Sequence, residues 1–385
     1  MRPARRIDAL PPYLFAEIDR LKAKALAEGR DVIDLGVGDP DIPVPEEASD
    51  ILSEAIRKYE NKFYPPYAGT VRFREAVARF YSKRSHVSLE PDREVIGLIG
   101  SKEGLAHLSL AFINPGDVAL IADPAYPVYA NGVRLAGGVP VSVPLRRENG
   151  FMPALDEIDE QTAHDAKLMF INYPNNPTTT LADKRQLARI VDFARANDIL
   201  IAYDHAYSEL VFEPYRSPSI LEIDGAKEVA IEFNSLSKMF NVTGWRVAWA
   251  AGCEQAVAGL AKVKTNVDSG QFKALQEAGA WMLDELYPEV PKANSATYAR
   301  RSRDFCSKLA DAGWDVIVPR ATFFVWAAIE GPSMEAVSEI IEKTSVICIP
   351  GRGSGEAGEG YVRFALNLDD DRVAEAAQRL ASIRK

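Results

Sequence analysis

The sequence predicts an α/β fold with a mostly parallel central sheet sandwiched by helices and a second, smaller α/β domain. Short apolar runs alternate with helical patterns through the middle of the chain. Apolar runs buried on both faces are typical of parallel strands that are covered by helices on each side. The chain also has 385 residues, more than a single hydrophobic core usually serves, so two domains are expected.

The elements of the larger part follow in order along the chain. A helix is predicted at 15–28, and a short strand at 32–35 leads into a loop at 36–41. Helical patterns at 102–113 and 184–197 lie between strands. Apolar runs predict the strands of the central sheet at 94–100, 118–122, 139–143, 168–172, 199–203, 229–233 and 247–251.

The pattern changes after Lys264, where a long helical section precedes a second group of strands. The helices there are predicted at 295–312 and 371–383, and the strands at 316–318, 323–329, 347–349 and 362–366. We therefore expect a large domain at 49–275 and a small C-terminal domain at 276–385. Residues 1–48 are expected to join the small domain.

Composition and charge exclude several classes of function. Hydrophobic residues make up 47% and charged residues 26% of the chain, which is globular composition, and the net charge of −10 argues against a general nucleic-acid binder. No apolar run reaches membrane-spanning length. Cys253, Cys306 and Cys348 have no metal-binding spacing, so we expect buried thiols in a reducing cytoplasm and no metal site.

Lys238 is the first candidate catalytic residue. It ends the run Ser235-Leu236-Ser237-Lys238, and Arg246 follows eight residues later in Thr243-Gly244-Trp245-Arg246. A lysine must lose its proton to attack a carbonyl, and desolvation together with a neighbouring cation depresses its pKa. A lone lysine is more often a solvated surface residue, so this interpretation depends on the motifs elsewhere in the chain.

Two motifs follow predicted strands, at the end where ligands bind in open α/β sheets. Ser101 and Lys102 open a helix directly after a strand, and the free N–H groups of a helix start favour a phosphate. An ordinary N-cap at Ser101 is the alternative. Tyr126 is suited to stacking on a flat ring, although a lone tyrosine in a loop more often serves packing.

Three polar side chains follow the strands predicted at 168–172 and 199–203. Asn176 lies between two prolines, and its amide is suited to donate to a phenolate oxygen, with Asx-turn chemistry as the alternative. Asp204 follows a buried strand, where a carboxylate is costly unless paired, so it suits a protonated ring nitrogen or, alternatively, a helix N-cap. Tyr207 is suited to donate to a ring hydroxyl.

Arg363 lies inside the apolar run Tyr361-Val362-Arg363-Phe364. An arginine there needs an anionic partner, and its planar guanidinium suits the bidentate binding of a substrate carboxylate. The alternative is an arginine on an edge strand that faces water.

Together these motifs resemble fold-type I aminotransferases of class I and II, which depend on pyridoxal 5'-phosphate (PLP). The resemblance covers nearly the whole chain. It implies the PLP-dependent transferase fold type I and the transfer of nitrogen between an amino acid and a 2-oxo acid. The residues that carry it, in order, are Gly38, Ser101, Tyr126, Asn176, Asp204, Tyr207, Ser235, Lys238, Arg246 and Arg363.

The resemblance implies a role for each of these residues at the cofactor ring. Lys238 would hold PLP as a Schiff base and then move a proton between the substrate and the cofactor. Asp204 would pair with the pyridine nitrogen, Tyr207 and Asn176 would contact the ring oxygen, and Tyr126 would stack on the ring.

The resemblance also implies the residues at the phosphate and at the subunit boundary. Ser101, Lys102, Ser235 and Arg246 would surround the phosphate. Such enzymes work as homodimers with shared active sites, and Tyr64 matches the tyrosine that reaches the partner's phosphate. An aromatic anchor within the loop is the alternative for Tyr64.

Within the family, the chain is most similar to the LL-diaminopimelate aminotransferases. This implies LL-diaminopimelate and 2-oxoglutarate as the amino donor and acceptor in lysine biosynthesis. Arg363, helped by Gly38 and Asn176, would take the α-carboxylate, and Tyr13 would line the distal end of the pocket. The matching segments are 12–15, 100–104, 173–177, 266–270 and 355–360.

Three positions depart from that group. Ala68 stands where an acidic residue commonly precedes Gly69, and that carboxylate is suited to hold the distal ammonium of diaminopimelate. Thr179 stands in place of a glycine, and His205 in place of a small residue. We expect Thr179 and His205 to reshape the wall of the pocket.

Three rival functions stay open, and Ala68 supports the nearest of them. The nearest is an aminotransferase for aspartate, alanine, methionine or an aromatic amino acid. A PLP-dependent C–S lyase would keep the fold and change the reaction. A non-enzymatic PLP-binding regulator would need an additional DNA-binding domain, for which the residues before 31 offer no room.

Overall fold

The computed structural model describes residues 2–11 and 15–384. Strands and helices alternate through its larger part, as the sequence pattern predicts. The strands are β1 (Ile33–Asp34), β2 (Val95–Leu98), β3 (Val118–Asp123), β4 (Val139–Pro144), β5 (Ala166–Asn172), β6 (Leu200–Asp204), β7 (Ala230–Ser235), β8 (Ala248–Gly252), β9 (Asp315–Ile317), β10 (Phe324–Ala328), β11 (Val346–Ile347), β12 (Ile349–Pro350) and β13 (Tyr361–Ala365).

The helices range from a single turn to 23 residues. They are α1 (Arg5–Asp8), α2 (Phe15–Ala27), α3 (Glu46–Arg57), α4 (Val71–Ser85), α5 (Ser101–Phe112), α6 (Val128–Ala136), α7 (Glu160–Asp165), α8 (Lys184–Ala196), α9 (Ala226–Val229), α10 (Leu236–Met239), α11 (Glu254–Val267), α12 (Lys273–Trp281), α13 (Glu289–Asp311), α14 (Ser333–Thr344) and α15 (Asp370–Ala381).

The central sheet joins seven of the described strands in the order β2–β8–β7–β6–β5–β3–β4. Strands β3 to β7 are parallel to one another, whereas β8 runs antiparallel to β2 and β7. The mostly parallel sheet is confirmed. Each predicted strand of this sheet coincides with an observed one. Those buried on both faces, such as β5 and β6, are apolar almost throughout.

Two apolar layers cover this sheet. One contains Tyr81, Met169 and Trp249, with helices α4 and α8 outside it. The other contains Leu108 and Phe233, with helices α5, α6 and α11 outside it. Each large side chain buried in this way contributes about 1.5–3 kcal/mol to folding, so the layers hold the sheet rigidly beneath its loops.

The second group of strands forms an antiparallel sheet in the order β12–β13–β10–β9. The strand predicted at 347–349 is wrong in one respect. The chain divides at Cys348, because β11 pairs with β1 while β12 pairs with β13. The predicted domain boundaries fall inside α3 and α12, and the division into domains stays a prediction.

The topology gathers the polar loops at one edge of the central sheet. Strands β2, β3, β5, β6 and β7 end there, and β8, being antiparallel, begins there. The three cysteines are free and buried. No helix in the described ranges is long and apolar enough to cross a membrane.

Candidate active site

Lys238 lies on α10, directly after β7, and faces the loop that follows β1. Its Nζ donates to the carbonyl oxygen of Gly38 over 2.6 Å. Desolvation lowers the pKa of Lys238 to about 8, with Arg246 and Arg363 acting in the same direction and Asp39 opposing them. With this pKa about a tenth of the amine is neutral near pH 7, and the neutral form is the one that attacks a carbonyl.

A cationic cradle lies where β2 passes into α5. Gly100 has φ of +86°, and a methyl group on it would lie 2.7 Å from Cζ of Arg246. Nη1 of Arg246 donates to the carbonyl of Thr243 over 2.9 Å, which holds the guanidinium beside the start of α5. Ser101 and Lys102 form the first turn of that helix. The free N–H groups and the guanidinium together suit a phosphate.

Ser235 is engaged within the turn that carries Lys238. Its hydroxyl accepts from the N–H of Ser237 over 3.1 Å and lies 2.9 Å from the Ser237 hydroxyl. Ser235 therefore caps α10 and sets the direction in which Lys238 projects. A contact of Ser235 with a phosphate stays a prediction.

Asp204 is a buried carboxylate at the end of β6. Its Oδ2 accepts from the hydroxyl of Tyr129 over 2.7 Å, and its Oδ1 accepts from the N–H of Ala206 over 3.2 Å. Burial raises the pKa of Asp204. Within the described residues it forms no ion pair, so a protonated ring nitrogen placed against it would offset its desolvation.

Tyr129 is a site residue that the sequence analysis missed. It lies on α6, fully buried, and its ring stacks on Phe170 with 5.4 Å between centroids. Tyr126 meets Tyr129 edge-on at 6.0 Å, so the two tyrosines and Asp204 lie together. The two tyrosines are three residues apart at the start of a helix, and this spacing places both rings on the same side of it.

Tyr207 and Asn176 lie between the carboxylate and the small antiparallel sheet. The ring of Tyr207 packs edge-on against Phe323 and Phe324, at 5.9 and 5.6 Å between centroids. Burial raises the pKa of Tyr207, so its hydroxyl keeps its proton and can donate. Oδ1 of Asn176 accepts from Arg363 over 2.8 Å, which leaves the Nδ2 of Asn176 as a donor.

Arg363 lies on β13, a strand with a neighbour on each side, so the edge-strand alternative is wrong. Its Nη2 donates to the carbonyl of Gly36 over 2.7 Å, and its guanidinium lies 4.3 Å from the ring centroid of Phe324. Burial lowers the pKa of Arg363 to about 10. Its Nε is buried without a hydrogen-bond partner in the described part of the chain. Such a guanidinium suits an incoming carboxylate.

Gly38 brings the loop after β1 into this site. A methyl group on Gly38 would lie 2.9 Å from Cζ of Phe324, so a larger residue would push the loop away. The side chain of Asn367 donates to the carbonyls of Val37 and Asp39 over 2.7 and 2.5 Å. The loop is thereby held between Lys238 and the small sheet.

One predicted residue of the described part of the chain does not join this cluster. Tyr64 is 87% exposed in the loop before α4. Tyr13 lies outside the described residues.

The two departures expected to reshape the pocket wall are both buried. His205 is fully buried and contacts Glu232 and Ser217, so the expectation that it lines the pocket is wrong. Successive residues of a strand face opposite sides, which turns His205 away from Asp204. Thr179 is buried with φ of +64°, a backbone conformation that favours the glycine it replaces.

These groups fit PLP. The cradle at Gly100 suits its phosphate, the desolvated Asp204 suits its ring nitrogen, and the Lys238 amine suits its aldehyde. Arg363 offers donors for the carboxylate of an amino acid.

Comparison with known proteins agrees with this chemistry. A family model described as aminotransferase class I and II matches residues 30–380. The LL-diaminopimelate aminotransferase of Halothermothrix orenii is 49% identical over 382 residues, covering 99% of this chain and 98% of that protein. The enzyme of the same name from Aquifex aeolicus is 48% identical over 381 residues, 98% of each chain.

A solved structure extends the likeness to the whole fold. Substrate-bound BacF from Bacillus subtilis matches with a TM-score of 0.95 and 32% identity, covering 100% of this chain and 98% of that one.

Proposed function

The chain belongs to the class I and II aminotransferases, which are PLP-dependent enzymes, and on that premise we propose that it transfers nitrogen between LL-2,6-diaminopimelate and 2-oxoglutarate. The observation that carries the reaction is the desolvated amine of Lys238, which faces Arg363 and the cradle at Gly100. The identity of 45–49% with LL-diaminopimelate aminotransferases over nearly the whole chain supports the substrate.

The cofactor is held at two ends. The start of α5 and Arg246 bind the phosphate, because both present N–H donors and positive charge. Asp204 holds the ring nitrogen in its protonated form and is itself oriented by Tyr129. Tyr207 and the Nδ2 of Asn176 donate toward the ring oxygen.

PLP, when bound, supplies an aldehyde that condenses with amines and a ring that draws electrons from the substrate α-carbon. Nζ of Lys238 is the group that would hold the cofactor covalently. When free of it, the same amine would accept the α-proton of the substrate at Nζ and later return a proton. A pKa of about 8 suits proton transfer in both directions near neutral pH.

The substrate α-carboxylate binds at Arg363. Asn176 orients the guanidinium from one side and the carbonyl of Gly36 from the other. Gly38 closes the loop over this end of the pocket, so the α-carbon is presented to Lys238. Positioning of this kind lowers the entropic cost of reaction.

The distal end of the substrate is recognised without a carboxylate at position 68. The carbonyl of Ala68 accepts from the N–H of Gly97 over 2.9 Å, and its side chain is a methyl group. The distal ammonium of diaminopimelate is therefore held by other groups. Because this end also accepts 2-oxoglutarate, neutral polar groups are expected there.

A donor panel tests the proposed substrate. Initial rates with 2-oxoglutarate are compared for LL-diaminopimelate, its meso isomer, aspartate, alanine, methionine and phenylalanine, with Lys238→Ala as the blank. We expect kcat/KM for the LL isomer to exceed the others by about 10-fold or more. Equal rates for the LL and meso isomers, or a higher rate with another donor, would withdraw the substrate and leave the reaction class intact.

The working form is a homodimer with shared active sites. Five aromatic side chains around the loop before α4 form an exposed patch, and apolar patches of this kind mark protein interfaces. The rings of Tyr59 and Phe63 contact each other at 5.5 Å. The exposed fractions are 70% for Tyr59, 53% for Phe63, 87% for Tyr64, 48% for Tyr67 and 41% for Phe272.

Subunit complementation tests the shared site. Lys238→Ala and Tyr64→Ala chains, each inactive or impaired alone, are co-expressed with different tags and purified as the mixed dimer. If Tyr64 serves the partner's site, one of the two sites in the mixed dimer is complete, and about half of the wild-type activity per dimer returns. A mixed dimer no more active than the Tyr64→Ala parent, or a monomer in sedimentation, would contradict this arrangement.

The enzyme acts in the cytoplasm, in lysine biosynthesis. Three free, buried thiols support a reducing compartment. Fractionation of the source cells tests the location.

A further inference from the structure

We propose that His205 is a positioning residue for Asp204. Its imidazole braces the end of β6 from the face of the sheet opposite the cofactor, so that the Asp204 carboxylate keeps its direction. The proposal rests on the role of Asp204 in the proposed function.

His205 immediately follows Asp204 and lies on the other face of the sheet. It is fully buried, and its partner Glu232, on β7, is 1% exposed. The backbone N–H of His205 donates to the carbonyl of Phe233 over 2.8 Å, which continues the pairing of β6 with β7. Any shift of His205 is therefore transmitted to Asp204 through one peptide bond.

Glu232 is the anchor of the brace. Its Oε1 accepts from the hydroxyl of Tyr81 over 2.9 Å and lies 2.9 Å from Nδ1 of His205. Its Oε2 accepts from the hydroxyl of Ser219 over 2.5 Å and from the N–H of Ile220 over 3.1 Å. Burial alone would raise the pKa of Glu232, but His205 and Ser219 outweigh it and lower the pKa.

The ionised carboxylate determines the tautomer of His205. A carboxylate only accepts, so Nδ1 of His205 carries the proton and donates to Glu232. Nε2 lies 2.8 Å from Oγ of Ser217 and, in the neutral ring, accepts from that hydroxyl. The carbonyl of Ser217 in turn accepts from Nη2 of Arg84 over 2.8 Å. The imidazole thus ties β7 to the segment 217–219 and, through Arg84, to α4.

Asp204 needs such support because it ends its strand. Its carbonyl accepts from Nδ2 of Asn172 over 2.7 Å on one side, while His205 secures the other. A small rotation of this backbone would move Oδ2 away from the Tyr129 hydroxyl. Charged groups that act on a reacting ring must hold their geometry to within about 0.5 Å, so loosening the brace weakens the action of Asp204.

A buried polar cluster can also serve stability alone, and a double-mutant cycle separates the two roles. His205→Ala removes the brace, and His205→Asn keeps a side-chain N–H in the place of Nδ1. Each is made in the wild type and in Asp204→Asn. PLP affinity of the apoenzyme, kcat, substrate KM and the melting temperature of the apoenzyme are measured for every variant.

We expect His205→Ala to weaken PLP binding about 10-fold and to lower kcat about 10- to 100-fold, with substrate KM nearly unchanged. His205→Asn should recover most of both losses. In the Asp204→Asn background the same substitutions should change PLP affinity and kcat by less than about 2-fold each. The charge of Asp204, which His205 is proposed to position, is already absent there.

The opposite results are equally clear. Equal losses with and without Asp204, or a loss confined to the melting temperature, would overturn the proposal and leave His205 a stabilising residue. Should His205→Ala fail to fold, Ser217→Ala, which removes the partner of Nε2, supplies the same cycle. If Asp204→Asn alone changes neither kcat nor PLP affinity, the role proposed for Asp204 fails instead.

Discussion

Substitution of Gly100 by alanine tests the phosphate cradle at its narrowest point. Gly100 has φ of +86° and ψ of 148°, a region that residues with a Cβ rarely enter. The new methyl group would lie 2.7 Å from Cζ of Arg246, well inside contact distance. Nη1 of Arg246 is tied to Thr243, so the guanidinium can move only by giving up its place beside α5.

Two losses follow, and they are measured separately. The backbone strain should lower the free energy of unfolding by about 1–3 kcal/mol. Displacement of Arg246 should remove a charge-assisted hydrogen bond to the phosphate, worth about 1.5–3 kcal/mol. PLP should therefore bind about 10- to 150-fold more weakly.

The assay is titration of the apoenzyme with PLP, followed by absorbance, beside thermal unfolding without PLP. Gly225→Ala is a matched control. Gly225 also has a positive φ, +76°, and a methyl group there would lie 2.9 Å from Cζ of Arg195. It precedes α9 and β7, at the other edge of the sheet. This control should lose stability and keep its affinity for PLP.

The reasoning is refuted if folded Gly100→Ala binds PLP within about 2-fold of the wild type, because Arg246 would then lie outside the phosphate site. Equal weakening of PLP binding in Gly225→Ala would show that strain alone, transmitted through the fold, explains the loss.

Three further predictions concern charge. Asp204→Asn should lower kcat by roughly 100-fold. Burial raises the pKa of Asp204, so the ionised carboxylate destabilises the apoenzyme above that raised pKa. The melting temperature of the wild-type apoenzyme should therefore rise on acidification, and this rise should disappear in Asp204→Asn. The rate at which Lys238 captures PLP as a borohydride-reducible adduct should fall about tenfold for each pH unit below 8, because the pKa of Lys238 is about 8. Mass spectrometry measures the adduct, and Lys238→Ala should form none. Arg363→Lys should raise the KM for the amino donor about 10-fold or more by losing bidentate contact; an unchanged KM in steady-state kinetics would place the carboxylate elsewhere.

Much of the fold could be predicted because buried strands require apolar runs that are visible in the local sequence. Strands β5 and β6 are buried on both faces, and a strand in that position must be apolar almost throughout. The same reasoning identifies Asp204, because a buried carboxylate at the end of such an apolar run is costly unless it has a partner. The division of one predicted strand at Cys348 was beyond this reasoning, because it depends on which strands pair on either side.

The order of motifs along the chain, from Gly38 to Arg363, is a property of the sequence alone, and so are the family, the cofactor and the residues proposed to hold it. Only the tertiary structure decided which side chains support them. Tyr129 meets Asp204 across 75 residues of sequence, and His205 meets Glu232 across 27. Neither pair has a local pattern, because both contacts arise from the order in which the strands and helices pack.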